Sequence, residues 1–189
     1  MNIPSKKDCF KLINKMNMMD HIIDHSVMVS NITLFLVQKL KKYSSDLDIR
    51  LATSAALLHD ITKTRSFDTN ESHSDTGGLL LAELGYPEIG NIVRQHVLLD
   101  SFKNDTPISE QEIVNYSDKR VLHDKVVPLT ERLEYIKIRY GTHKEFKDRI
   151  QIMWAQAMNL ENKIFLHLDI TPDQLSDCMT QKIKKKDYS

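Results

Sequence analysis

The chain has 189 residues, which is enough for one domain with a buried core and too few for two comfortable ones. Its 26 basic and 26 acidic side chains give a formal net charge of zero, which argues against a general nucleic-acid coat, because such binding depends on clustered positive charge. Only five Gly and five Pro occur, and this scarcity of turn residues argues against a many-stranded sheet and favours an all-α fold.

Hydrophobic periodicity predicts a single helical domain over residues 1–189, with no linker or internal repeat dividing it. The predicted helices cover, in chain order, about 5–18, 20–42, 47–62, 74–84, 87–99, 109–122, 128–141, 143–160 and 171–185. The polar stretches 63–72 and 100–109 predict loops, and no stretch predicts a strand. Ser109 and Glu112 have the spacing of a capping box at the start of the sixth helix.

Six imidazole or carboxylate side chains lie at or beside apolar helical stripes, where a polar group needs a specific reason to be. They are His25, His59, Asp60, His73, His96 and Asp118. This combination suits divalent Mn, Fe, Co, Ni or Zn, and the absence of cysteine from the set argues against a soft thiolate site. His59 and Asp60 are adjacent near a helix end, so both can reach one ion, and the two oxygens of Asp60 can bridge two ions.

The set predicts one or two bound divalent transition-metal ions. His25, the His59-Asp60 pair and Asp118 would hold the first ion, and His73 and His96 would supply the second. Two ions about 3.5–4 Å apart can generate hydroxide and stabilise the charge that builds on a phosphoryl oxygen. Basic side chains close in sequence to these ligands are therefore candidates for binding phosphate; they are Lys63, Arg65, Arg94 and Lys119.

The segment His59-Asp60-Ile61-Thr62-Lys63, which follows an apolar helix, resembles the signature of the HD-domain metal-dependent phosphohydrolases. His25 upstream and Asp118 downstream match the first and last ligands of that family. His73 and His96 occupy the places of the two extra histidines in its dinuclear members. The resemblance implies an HD-like helical bundle in which three residues of the signature have catalytic roles: His59, Asp60 and Lys63.

The resemblance covers residues 20–125, which would form the metal-binding core, and residues 126–189 are predicted to form C-terminal helices of unassigned role. The chain departs from the family pattern at Ile61-Thr62, where many dinuclear members carry Ile-Gly. A second departure is that Gly85-Tyr86-Pro87 precedes His96 rather than following it, which argues against a cyclic-dinucleotide phosphodiesterase.

The cysteines and the apolar stretches of the sequence indicate the cellular compartment. Cys9 and Cys178 lie at opposite ends of the chain and form neither a disulfide framework nor a CxxC motif. Residues 1–7 lack the apolar stretch of a signal peptide, and no apolar run approaches membrane-spanning length. These features predict a cytoplasmic protein with no membrane partner.

The sequence as a whole predicts a metal-dependent phosphohydrolase that acts on a small-molecule phosphate, and the family resemblance favours a nucleotide. Three alternatives are open: a di-iron oxygenase of the same fold, a non-catalytic nucleotide-binding sensor, and a helical interaction module with a vestigial site. A homodimer is left open as well.

Overall fold

The computed structural model describes residues 1–140 and 144–179, with side chains for 1–139 and 147–179, and it confirms the predicted all-α fold. The helices are α1 (Lys6–Lys15), α2 (Asp20–Leu40), α3 (Ile49–Leu58), α4 (Lys63–Thr69), α5 (His73–Glu83), α6 (Pro87–Arg94), α7 (Glu110–Lys119), α8 (Leu129–Tyr140), α9 (Lys144–Phe165) and α10 (Leu175–Cys178). A short 3-10 turn, Pro172–Gln174, precedes α10. The part of the predicted last helix beyond 179 lies outside the described residues.

Two sequence predictions about local structure are wrong. Residues 63–72 were expected to form a loop, but α4 occupies Lys63–Thr69 and ends at Asn70 in the left-handed region with φ 55°. None of the residues of α4 is buried, so the helix carries no apolar stripe that periodicity could detect. The second error is a two-stranded antiparallel hairpin formed by β1 (Val121–Leu122) and β2 (Lys125–Val126), whose strands are too short to show alternation.

Helix boundaries also differ from the predicted ones. The predicted third helix, α3, ends at Leu58 rather than near 62; the predicted fifth, α6, ends at Arg94 rather than near 99; and the predicted sixth, α7, ends at Lys119 rather than near 122. Each of these helix ends lies within two residues of a candidate ligand. α9 is longer than predicted and runs to Phe165.

α2 is central to the bundle, because it packs against both α3 and α7 while α3 also contacts α6. Its inner face buries Val29, Ile32 and Leu36 completely, at the spacing of three and four residues that puts side chains on one side of a helix. Each such burial stabilises the fold by about 1.5–3 kcal/mol relative to exposure. His25 lies one turn before Val29 on the same face, so the packing of α2 carries this imidazole to the edge of the core.

α5 and α6 pack at a very short distance through two glycines. A Cβ atom on Gly90 would lie 2.4 Å from the main-chain oxygen of Gly78, and one on Gly78 would lie 2.7 Å from the oxygen of Gly90. Only residues without a Cβ allow two helix backbones to approach this closely. This contact brings the start of α5, at His73, towards the end of α6, just before His96.

Buried ion pairs connect the C-terminal helices to the rest of the bundle. Lys163 of α9 lies with its Nζ atom 2.7 Å from Glu112 Oε1 and also donates to the main-chain oxygen of Lys103 at 2.9 Å. The other oxygen of Glu112 accepts from the Ser109 N–H, which confirms the predicted capping box. Among the described residues, no helix is long and apolar enough to cross a membrane.

Candidate metal centre

His59 follows the last residue of α3 and is fully buried. Its Nδ1 atom lies 2.8 Å from the main-chain oxygen of Ala56. A carbonyl oxygen only accepts hydrogen bonds, so Nδ1 carries a proton and Nε2 is the nitrogen left for a metal ion. The end of α3 therefore fixes the ring orientation and the tautomer that a metal ligand needs.

The same arrangement occurs at two other histidines. His96 follows α6, and its Nδ1 atom donates to the main-chain oxygen of Val93 at 2.6 Å. His25 projects from α2, and its Nδ1 atom donates to the main-chain oxygen of His123, in the turn of the β1–β2 hairpin, at 3.0 Å. In each of these residues the protonated nitrogen is turned to the main chain and Nε2 is turned to the centre of the site.

Asp60 lies between the imidazoles and is fully buried. Its Oδ2 atom is 3.3 Å from His59 Nε2, whereas its Oδ1 atom is 3.3 Å from His73 Nε2 and 3.6 Å from His96 Nε2. The two oxygens of one carboxylate thus face two different groups of histidines. Lys63, three residues later, places its Nζ atom 2.8 Å from Oδ2.

Asp118, near the end of α7, completes the first group. Its Oδ1 atom lies 3.0 Å from His25 Nε2 and 3.6 Å from His59 Nε2. The potential ligand atoms of His25, His59 and Asp60 lie within 4.8 Å of one another, and so do those of Asp60, His73 and His96. All six predicted ligands are therefore brought together, in two groups that share Asp60.

The arrangement fits bound cations because it gathers ligand-type atoms that the protein leaves without enough donors. His25 and His59 turn their Nε2 atoms towards carboxylate oxygens, and His73 Nε2 lies 3.2 Å from His96 Nε2. Two buried atoms, His59 Nε2 and Asp60 Oδ1, have no hydrogen-bond partner among the described residues. An unsatisfied buried polar atom costs about 1–3 kcal/mol, so a divalent ion at each group would remove a real penalty.

The sequence model of one family, described as HD domain, matches residues 22–135, which is more than half of the chain. The chain belongs to the HD domain family. Membership supports metal-dependent hydrolase chemistry as the general class, and the two groups of ligands agree with it.

Two curated relatives are similar to this HD domain protein. One is an uncharacterized protein, MJ0778, of Methanocaldococcus jannaschii, with 24% identity over 154 residues that cover 75% of this chain and 90% of the relative. The other is a tRNA (cytidine(56)-2'-O)-methyltransferase of Thermoplasma volcanium, with 29% identity over 96 residues, half of this chain. The chain spans only 26% of that methyltransferase, so methyl transfer is not carried over to it. No solved structure is a significant match.

The pKa values of the four imidazoles in this HD domain are shifted in different directions. Burial lowers the pKa of His25 and His96, and it lowers the pKa of His73 to about 3. Burial acts in the same direction on His59, but the adjacent carboxylates of Asp60 and of the α7 aspartate outweigh it and raise the pKa of His59 to about 9. Three of the four imidazoles are therefore neutral at pH 7, the form that binds a metal.

Both carboxylates are ionised in spite of their burial. Burial favours the neutral acid, but the positive charge of Lys63 and the contact with His59 hold the pKa of Asp60 well below its usual range. Burial acts in the same direction at Asp118, but its contacts with His25 and His59 outweigh burial and hold its pKa well below the usual range. The centre thus offers two buried anionic ligands at neutral pH.

The four predicted phosphate-binding residues occupy different surroundings. Lys63 and Lys119 are at the centre, but Lys119 is fully buried and donates to the main-chain oxygens of His96 at 2.7 Å and of Asn115 at 3.2 Å. Lys119 therefore also supports the segment that holds His96. Arg65 and Arg94 are partly exposed and are paired with nearby carboxylates, those of Glu71 and Asp100 respectively.

Two features of the centre have no counterpart in the sequence prediction. One is the main-chain oxygen of His123, which orients His25. The other is Arg132 of α8, whose Nη2 atom lies 4.0 Å from Asp118 Oδ1. Arg132 falls within the HD match at 22–135 but outside residues 20–125, which the family resemblance covered, and no periodic pattern marks it.

Proposed function

We propose that this HD domain is a metal-dependent phosphohydrolase that cleaves a phosphoester or phosphoanhydride. The observation that carries the proposal is Asp60, whose two oxygens face two separate groups of histidines and whose Oδ1 atom has no hydrogen-bond partner among the described residues. The first group, His25, His59, Asp60 and Asp118, would hold one ion; the second, Asp60, His73 and His96, would hold another. Ions bound there would activate water and neutralise charge on a phosphoryl oxygen.

The charge of the centre supports an anionic substrate. Two carboxylates, Asp60 and Asp118, face three cations, Lys63, Lys119 and Arg132. The local balance is positive before any ion binds, and each divalent ion adds two charges. A phosphoryl group is the anionic substrate that this combination of divalent ions and cationic side chains suits best.

The roles of the signature residues follow from their contacts. His59 and Asp60 would hold the ions, and Asp60 would keep both ions at a fixed separation because its carboxylate is buried and hydrogen-bonded. Lys63 has a side chain that is one quarter exposed, so its Nζ atom can donate to Asp60 and still reach a substrate oxygen. A nucleotide or nucleotide-like phosphate is the substrate class that the family resemblance favours.

The ligand set alone would also suit a di-iron oxygenase or a non-catalytic nucleotide-binding sensor. The cations beside the carboxylates favour an anionic substrate such as a phosphate. Oxygen consumption separates a phosphohydrolase from an oxygenase that acts on an anionic substrate. The choice of a phosphohydrolase does not depend on the predicted cytoplasmic location or on whether the protein forms a homodimer.

The test begins with elemental analysis of protein purified without chelator, which gives the identity of the metal and its ratio to the chain. A panel of nucleotides and phosphomonoesters is then assayed for phosphate release, with oxygen consumption measured in parallel. The His59→Ala, Asp60→Ala double variant should lose metal and activity, whereas His21→Ala, an exposed histidine on the same helix as His25, should keep both. Full activity in the double variant would refute the proposal, and nucleotide binding without product would favour the sensor.

A further inference from the structure

Arg132 is a largely buried guanidinium without a matched anion. Its side chain is 12% exposed, and its Nε atom is buried with no hydrogen-bond partner among the described residues. The nearest carboxylate oxygen, Asp118 Oδ1, is 4.0 Å from Nη2, which is beyond hydrogen-bonding distance. Because burying an unpaired charge is costly, such an arrangement needs an explanation.

Arg120, which is almost fully buried, shows how a guanidinium is held by this fold. Its nitrogens donate to the main-chain oxygens of Val127 and Pro172, both at 2.8 Å, and to Glu161 Oε2 at 3.1 Å. All three of its nitrogens therefore have acceptors. No side-chain hydrogen bond of Arg132 is found among the described residues, so Arg132 is not anchored as Arg120 is.

Asp118 does not supply the missing partner. Its Oδ1 atom already lies 3.0 Å from His25 Nε2 and 3.6 Å from His59 Nε2, and it belongs to the first group of ligands. The two carboxylates of the centre also have other cations beside them, with Lys119 Nζ 3.8 Å from Asp118 Oδ2 and Lys63 Nζ 2.8 Å from Asp60 Oδ2. Among the residues whose side chains are described, Arg132 thus has no hydrogen-bonded anion.

The guanidinium is held in place without using its donors. Its central carbon lies 5.7 Å from the centre of the Tyr135 ring, one turn later on α8, at a distance typical of a cation–π contact. The Tyr135 ring in turn contacts the His123 ring, with 5.7 Å between ring centres. The side chain is therefore oriented by an aromatic surface while its N–H groups stay available.

We propose that Arg132 binds the phosphoryl group of the substrate next to the candidate ligand Asp118, an assignment that rests on the proposed phosphohydrolase function. A guanidinium presents a planar set of N–H donors that matches two phosphoryl oxygens at once, whereas an ammonium group acts as a single point charge. The C-terminal helices had no assigned role, and Arg132 gives α8 a role in binding the substrate.

Inorganic phosphate, titrated into metal-loaded protein by calorimetry, is the probe. Arg132→Met should weaken phosphate binding by about ten- to a hundredfold, the range expected for loss of charge-assisted hydrogen bonds. Arg132→Lys, which retains the charge without the planar donors, should weaken it by about three- to tenfold. Lys137→Met is the matched control, because it removes one exposed positive charge from the same helix and should leave phosphate affinity unchanged.

Two further measurements separate the outcomes. Elemental analysis should give the same metal content in Arg132→Met as in the wild type, and a thermal melt without phosphate should show no loss of stability. Loss of metal in Arg132→Met would mean that Arg132 supports Asp118 and would overturn the inference. Wild-type phosphate affinity in Arg132→Met would overturn it as well. If Arg132→Met does not fold, wild-type affinity in Arg132→Lys overturns the planar-donor assignment. Absence of phosphate binding and of hydrolysis in the wild type would instead refute the proposed function, and the assignment with it.

Discussion

The close contact between α5 and α6 predicts the effect of Gly90→Ala. The new Cβ atom would lie 2.4 Å from the main-chain oxygen of Gly78, whereas ordinary contact begins at 3.4 Å, so the two helices must separate by about 1 Å. Overpacking of this kind costs about 1–3 kcal/mol, and the upper end applies because the obstacle is backbone. Alanine recovers about 1 kcal/mol through its helix propensity. We therefore expect a net loss of about 2 kcal/mol in the free energy of unfolding.

The same separation should act selectively on the metal centre. His73 begins α5 and His96 follows α6, and their Nε2 atoms lie only 3.2 Å apart, so a shift of 1 Å between the helices disrupts the second group of ligands. The first group is positioned by α2, the end of α3 and α7, which this contact does not involve. The metal-to-chain ratio should fall towards one.

Thermal unfolding and elemental analysis measure both effects. For a chain of this size, a loss of about 2 kcal/mol corresponds to a fall of about 4–8 °C in Tm. Gly77→Ala is the matched control on α5, because its nearest obstacles are side-chain atoms, the closest at 3.2 Å, which can adjust. A Gly90→Ala variant with the wild-type Tm and metal ratio would show that α5 and α6 do not approach as described.

Three further outcomes are expected. Lys163→Met leaves the Glu112 carboxylate buried without its partner and should lower the free energy of unfolding by about 3–5 kcal/mol in urea denaturation. Adding Glu112→Gln, which keeps the capping box, should restore most of the loss. A Lys163→Met variant with the wild-type free energy of unfolding would contradict the buried pair. Asp60→Asn should reduce metal affinity at both groups by at least about tenfold in a chelator competition, since the bridging charge is lost, and retention of full metal affinity would argue against the bridge. A thiol reagent should modify the exposed Cys178 rapidly in the native protein but reach Cys9 only on unfolding. The reason is that Cys9 is buried and burial raises the pKa of its thiol to about 11. Rapid modification of both thiols in the native protein would disprove this placement.

The sequence could predict that the candidate ligands lie together because they are tied to helices. His25 shares the apolar stripe of α2, and His59 and His96 follow the last apolar residues of α3 and α6, so periodicity places each imidazole on the inner side. What periodicity does not contain is the partner of each Nδ1 atom. The oxygens of Ala56 and Val93 become accessible only where a helix ends, and helix ends are the least certain part of any sequence prediction.

The cationic residues were harder to predict, because closeness in sequence is a poor guide to where a long side chain ends. Arg94 is two residues before His96, yet it turns outwards and pairs with Asp100 beyond the end of α6. Arg132 is 14 positions from Asp118 along the chain, yet α8 folds back beside it. Lys119 is adjacent to Asp118, but its amino group is directed to main-chain oxygens.

The hairpin between α7 and α8 constrains how this chain can vary. The oxygen that orients His25 belongs to the backbone of residue 123, so the imidazole there could be replaced without loss of the bond, provided that the substitute tolerates a φ of 57°, as glycine or asparagine does. An insertion or deletion between 121 and 126 would instead move that oxygen away from α2. Homologous chains with two occupied groups should therefore differ freely in the side chains of this turn while keeping the number of its residues constant.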